Sequence, residues 1–121
     1  MQVFLMNDSA PRDGGAHGIR QIVAHTWRAG VCDQQRDAFH DAVLLLADIP
    51  HVRSVSAGFD LRFFDDNWDY VSVIDFADTE AAKRYAEHPL HQAFVTEHAI
   101  PLIDQRAVVQ YPLTDMSQRP I

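Results

Sequence analysis

The order of strand-like and helix-like segments is the feature that most constrains how this chain can fold. Four segments are rich in β-branched and aromatic residues, as strands are, and they cover residues 19–27, 51–61, 68–76 and 107–111. Two longer segments carry apolar residues at helical spacing, and they cover residues 33–48 and 78–103, with an interruption at Pro89. The resulting order, β-α-β-β-α-β, predicts a ferredoxin-like α+β fold with a four-stranded antiparallel sheet.

One face of that sheet should lack a cover. Alternate residues of a strand lie on opposite faces, so Val23, His25 and Trp27 share a face, which we expect to look toward the helices. The other face carries apolar side chains in two strands, and these include Ile22, Ala24, Val71 and Val73. Exposed apolar surface favours pairing with a second copy, so the sequence predicts a homodimer.

Composition excludes several classes of protein. The 121 residues are 47% hydrophobic, which suits one small domain with a modest core. The 10 basic residues are scattered among 17 acidic ones, for a net charge of -7, so no nucleic-acid partner is expected. A single cysteine, Cys32, excludes an internal disulfide framework, and no apolar run is long enough to span a membrane. We therefore expect a cytoplasmic protein with no membrane partner.

The two ends of the chain differ from its middle. Residues 1–18 contain the turn-forming stretch "NDSAPRDGG", which predicts a flexible leader. Residues 114–121 are mostly polar, which predicts a loose tail. The folded domain is expected to cover residues 19–113.

The stretch "YAEHPLHQAF" places Tyr85, His88 and His91 around Pro89. Pro89 cannot continue a helix without loss of a hydrogen bond, so the chain should bend near His88. In one interpretation the histidines only stabilise the end of a helix. In the other, the bend directs His91 toward the sheet, where a neutral imidazole can accept a proton and the phenol of Tyr85 can stabilise an enolate. His88 is then expected to have a structural role.

Other polar residues leave alternatives open. His25 interrupts an apolar strand and is either a hydrogen-bonded core residue or part of a site. A metal site of His25, His40 and His91 is conceivable, although no HxH or HExxH spacing supports it. Cys32 stands at the start of the first helix, as a helix cap or as a nucleophile. The sequence has no Gly-rich phosphate loop, which disfavours nucleotide chemistry.

Several stretches resemble the stress-responsive dimeric α+β barrel family. They are "WRAGV", "IPHVRSVSAGFDL", "WDYVSVIDFADTEAAKRYAEHPLHQAF" and "AVVQYPL". The resemblance runs from about Ile19 to Leu113, and its most specific element is the order Tyr-x-x-His-Pro-x-His. The family includes plant olivetolic acid cyclase, an aldol cyclase that needs no cofactor. The resemblance therefore implies a dimeric barrel, and it implies that Tyr85 and His91 are the catalytic residues.

The same resemblance implies which residues surround a cavity between sheet and helices. They are Val23, His25, Phe39, His40, Val43, Ser72 and Phe94. Because His25, His40 and Ser72 stand where the cyclase has larger or apolar side chains, the resemblance implies a more polar pocket. Such a pocket favours a small, oxygen-rich substrate.

We therefore expect a cofactor-independent lyase, isomerase or cyclase that acts on a small carbonyl compound through a histidine base. We expect no cofactor and no bound metal. Two alternatives remain at this point. The chain could be a non-catalytic stress-responsive protein that binds a small ligand, or it could be an oxygenase, either cofactor-free or metal-dependent.

Overall fold

The structure, a computed structural model, describes residues 18–114. The strands are β1 (Ile19–Trp27), β2 (Val52–Phe59), β3 (Tyr70–Phe76) and β4 (Ile103–Pro112). The helices are α1 (Asp33–Leu45), α2 (Thr79–Glu87), α3 (Pro89–Phe94) and α4 (Ile100–Leu102). A 3-10 turn (Leu46–Asp48) extends α1, and a π-helical turn (Val95–Ala99) joins α3 to α4. The predicted element order and the ferredoxin-like α+β fold are confirmed.

The predicted leader and tail lie outside the described residues, apart from Gly18 and Thr114. No helix within residues 18–114 has both the length and the apolar character that a membrane span requires.

The sheet is antiparallel throughout, with the strand order β2-β3-β1-β4. In the central strand β1, His25 lies opposite Tyr70 of β3 and Arg106 of β4. The faces follow the predicted alternation, because Tyr70, Ile74 and Phe76 are all buried on the helix side. One face of the sheet therefore meets the helices, and the site is built there.

Two apolar clusters hold the helices on that face. The first consists of Ile19, Leu46, Ile49, Ile74, Phe76 and Tyr85. The second consists of Phe39, Val43, Tyr70 and Leu102. Phe94 packs against both clusters, so α3 lies over the boundary between them.

Strand β4 begins earlier than its sequence indicates. We expected it to start at residue 107, but the ladder already includes Ile103, which pairs with Trp27. Between this pair and the pair of His25 with Arg106, β4 has one more residue than β1. The extra residue is a β-bulge, and Gln105 N donates to Thr26 Oγ1 across it at 3.1 Å.

The other face of the sheet is apolar, as predicted. Ile22, Ala24, Val71 and Val73 alternate with the helix-facing residues of β1 and β3. Val109 of β4 lies beside Ile22 on this face and is 57% exposed. An ion pair between Arg20 and Asp75, at 2.8 Å, forms its polar rim.

Candidate active site

A cavity of about 500 Å³ lies between the sheet and the helices. Strands β1, β3 and β4 form one wall, and helices α1, α2 and α3 with the π-helical turn form the other. Eight of the nine residues singled out in the sequence line it, and they are Val23, His25, Phe39, Val43, Ser72, Tyr85, His91 and Phe94. The motif around Pro89 therefore contributes side chains to one cavity.

The helix break at Pro89 explains the order of residues in that motif. Pro89 has no N–H for the carbonyl of Tyr85, which instead accepts from His88 N at 3.1 Å. His88 has an extended backbone, with φ of -69° and ψ of 140°, and ends α2 while it begins α3. Its Nδ1 accepts from Leu90 N at 3.1 Å, so His88 is the N-cap of α3. The expected structural role of His88 is present.

The break also leaves the carbonyl of Ala86 without its helical partner. In a continuous helix Leu90 N would donate to it, but Leu90 N donates to His88. The side chains of His91 and Gln92 take that place, with His91 Nδ1 at 3.1 Å and Gln92 Nε2 at 3.2 Å from the Ala86 oxygen. A carbonyl oxygen can only accept, so Nδ1 carries the proton and Nε2 is the basic nitrogen.

Tyr85 and His91 are neighbours within the cavity. Their ring centroids are 4.5 Å apart, although the two residues belong to different helices. Burial raises the pKa of the Tyr85 phenol. Burial also lowers the pKa of His91, more than the Ala86 carbonyl raises it, and the charge of Arg106 lowers it further. At neutral pH the pair is thus a neutral phenol beside a neutral imidazole.

His25 lies in an aromatic cage. Its ring centroid is 4.5 Å from that of Trp27, 4.9 Å from that of Phe39 and 5.2 Å from that of Tyr70. Only 2% of the residue is exposed. Burial lowers the pKa of His25 to about 4, although the negative charge of Asp69 raises it by a smaller amount. Its Nε2 is buried and has no hydrogen-bond partner within residues 18–114. A buried imidazole nitrogen without a partner reduces the stability of the fold.

His40 lies outside the cavity lining. On α1 the cavity is met by Phe39 and Val43, which are four residues apart and share a helix face. His40 is rotated by one residue from that face, so its Nδ1 lies 2.6 Å from the hydroxyl of Tyr70 instead. His25, His40 and His91 do not form a joint site: the described chain contains no group of three His, Cys, Asp or Glu side chains placed to hold a metal ion.

Polar residues that sequence reasoning missed complete the cavity wall. They are Gln21, Arg28, Asp104 and Arg106. The signal for Gln21 was present, because it shares a strand face with Val23 and His25. Asp104 and Arg106 were missed because β4 was expected to begin after them, and the bulge that positions them has no sequence signature.

Comparisons with known proteins identify relatives of this architecture. Residues 19–113 match the family model described as the stress responsive A/B barrel domain, Dabb. A comparison with curated proteins gave no match.

Solved structures with the same fold come from several organisms. A dimeric ferredoxin-like protein of unknown function from Thermobifida fusca is 30% identical, with a TM-score of 0.73, over 79% of this chain and 91% of that one. A Dabb family protein from Mesorhizobium loti is 27% identical, with a TM-score of 0.69, over 80% of this chain and 98% of that one. A hydroxynitrile lyase from Passiflora edulis is 18% identical, with a TM-score of 0.73, over 83% of this chain and 96% of that one. At that identity the likeness is one of fold.

Proposed function

Because the chain belongs to the stress-responsive A/B barrel domain family, we propose that it is a cofactor-independent enzyme that moves a proton at a carbon beside a carbonyl group. His91 is the general base, and Tyr85 assists it. Isomerases and aldol-type cyclases begin with such a step, and retro-aldol lyases run it in reverse. The substrate is a small carbonyl compound that contacts the other cavity residues named in the sequence, Val23, His25, Phe39, Val43, Ser72 and Phe94.

The hydrogen bond between His91 Nδ1 and the Ala86 oxygen is the observation that carries this proposal. It fixes the tautomer in which Nε2 is free to accept a proton. Because burial keeps the imidazole neutral at pH 7, the base is available without a separate activating group.

Tyr85 complements the base. A phenol whose pKa is raised by burial stays protonated, so it can donate a hydrogen bond but cannot compete as a base. When His91 Nε2 removes a proton from the carbon, the electron pair moves onto the carbonyl oxygen, and the Tyr85 hydroxyl stabilises that oxyanion. The imidazolium then returns its proton to the product.

We also propose that the protein works as a cytoplasmic homodimer formed by residues 19–113. The apolar face of the sheet, with Val109 at 57% exposure, supports pairing with a second copy. The relative from Thermobifida fusca is itself described as dimeric. The relative from Passiflora edulis is a lyase, which supports an enzyme class but not a particular reaction.

Deuterium uptake from D₂O into a panel of β-dicarbonyl compounds, followed by NMR, tests the base. The informative variant is His91→Asn, because the Asn amide N–H can still donate to the Ala86 oxygen while the basic nitrogen is lost. We expect exchange catalysed by the wild type to fall by about a hundredfold or more in this variant. His51→Gln is the control, since His51 is outside the cavity lining, and it should exchange like the wild type.

Catalysed exchange that persists in His91→Asn would exclude His91 as the base. No exchange above buffer by the wild type, across the whole panel, would favour the alternative of a protein that binds a ligand without converting it.

A further inference from the structure

Two arginine side chains in the cavity wall have no carboxylate partner. Arg28 follows β1, and Arg106 lies on β4. Other arginines form ion pairs with carboxylates at 2.8 to 3.5 Å, and these are Arg20, Arg36, Arg62 and Arg84. Within residues 18–114 neither Arg28 nor Arg106 forms such a pair, so both guanidinium groups are available to an anion.

Arg28 is held in place by the end of the helical segment. Its backbone N–H donates to Leu102 O at 2.8 Å, and its Nε donates to Ile100 O at 3.2 Å. The two terminal nitrogens of the guanidinium group remain as donors. Arg28 is therefore an exposed cation at the rim of the cavity, oriented by these two hydrogen bonds.

Arg106 lies closer to the proposed chemistry. It pairs with His25 across the β1–β4 ladder, on the face that forms the cavity wall. Its positive charge lowers the pKa of the His91 imidazole. Because Arg106 and His91 line the same cavity, one small molecule can contact both.

The charge of the cavity favours an anion. Among residues 18–114, Asp104 is the one carboxylate in the lining, and it forms no ion pair with either arginine. Burial keeps His25 and His91 neutral at pH 7, so two positive charges face one negative charge. A net positive cavity in a chain of net charge -7 attracts anions locally.

We propose that the cavity binds small oxo acids, with the carboxylate held by Arg106 and Arg28 and the carbonyl group directed toward His91 and Tyr85. The reactive orientation of the carbonyl rests on the proposed function above, whereas recognition of the carboxylate does not. Guanidinium groups bind carboxylates through charge-assisted hydrogen bonds, which are stronger than those between neutral groups.

The test is a calorimetric binding titration with two probes of similar size, acetoacetate and its uncharged methyl ester. All titrations use His91→Asn protein, so that turnover does not interfere. Arg106→Gln and Arg28→Gln are introduced into this background, and Arg84→Gln is the matched control, because Arg84 lies on the outer surface in an ion pair with Glu80.

We expect acetoacetate to bind at least about tenfold more tightly than its ester. Arg106→Gln should remove most of the preference for acetoacetate over the ester, Arg28→Gln should reduce it, and Arg84→Gln should preserve it. Acetoacetate that binds no better than the ester, or an unchanged preference in Arg106→Gln, would overturn the proposal. Carboxylate binding without catalysed deuterium exchange in the wild type would refute the proposed proton transfer by His91 but not the binding of oxo acids.

Discussion

The ring centroids of Tyr85 and His91 lie 4.5 Å apart across a break in the helix that carries them. In a continuous helix, residues six apart in the chain project about 120° apart and do not face each other. The extended backbone of His88, which Pro89 imposes, removes this constraint and lets both rings reach the same cavity. The break is therefore part of the site.

Removal of the Tyr85 hydroxyl should reduce catalysis without destabilising the fold. The ring packs against Phe76 with centroids 5.0 Å apart, and Tyr85→Phe preserves this contact. We expect stability to change by less than about 1 kcal/mol in urea denaturation, while catalysed deuterium exchange falls about tenfold to a hundredfold. Exchange at the wild-type rate would show that the hydroxyl does not stabilise an oxyanion.

The cap formed by His88 should be measurable as a contribution to stability. His88→Ala removes the Nδ1 acceptor of Leu90 N, and we expect a loss of about 1 kcal/mol, as for other N-caps. His88→Asn restores a side-chain acceptor at that position and should recover most of the loss. Urea denaturation at pH 7 measures both. An Asn variant as unstable as the Ala variant would show that the ring of His88, not its cap, stabilises the chain.

The sequence predicts the framework of the site better than its polar contacts. Periodicity alone places Val23, His25 and Ser72 on the helix-facing side of the sheet, since strand faces alternate regardless of the partner strand. Arg106 could not be placed in this way, because its position depends on where β4 starts to pair with β1 and on the bulge between Trp27 and His25. Such pairing is long-range, and the polar residues 104–106 do not resemble a strand.

His40 illustrates a different limit. Successive residues of a helix differ by 100° in direction, so Phe39 and His40 cannot both face the cavity. The sequence gives the periodicity of α1, but the exact rotation of the helix is set by how Phe39, Val43 and Leu102 pack. The break at Pro89, by contrast, is specified locally, because a proline cannot continue a helix without loss of a hydrogen bond. The motif around it can therefore be interpreted without knowledge of the fold.

His25 should make the fold sensitive to acid. Its pKa is about 4 in the folded protein and near 6.5 when the chain is unfolded, so between these values only the unfolded chain binds the proton. Stability should therefore fall as the pH falls from 6.5 to about 4, by up to about 3 kcal/mol, since each tenfold change in proton affinity is about 1.4 kcal/mol.

The measurement is urea denaturation from pH 7 to pH 4.5 for the wild type and for His25→Phe, which keeps an aromatic ring in the cage. Other titrating groups are common to both proteins, His91 among them, so the difference isolates His25. Equal losses in the two proteins would contradict the assignment.

Exchange activity should have a characteristic dependence on pH. His91 must be neutral to act as a base, and its pKa lies below the ordinary value of 6.5, so the rate should rise with pH and level off before neutrality. Because the positive charge of Arg106 contributes to this lowering, Arg106→Gln should shift the rising limb to higher pH. A limb that does not move would show that Arg106 has no electrostatic contact with the base.

The apolar face of the sheet gives the last prediction. Val73 pairs with Ile22 at the centre of this face, away from the cavity. A buried carboxylate without a partner is strongly unfavourable, so Val73→Asp should convert the expected dimer to a monomer in light scattering after size-exclusion chromatography. Leu45→Asp is the control, because Leu45 is 64% exposed on α1 and lies on the opposite layer, and it should leave the dimer intact. If Val73→Asp remains dimeric while Leu45→Asp dissociates, the helical layer rather than the sheet forms the interface.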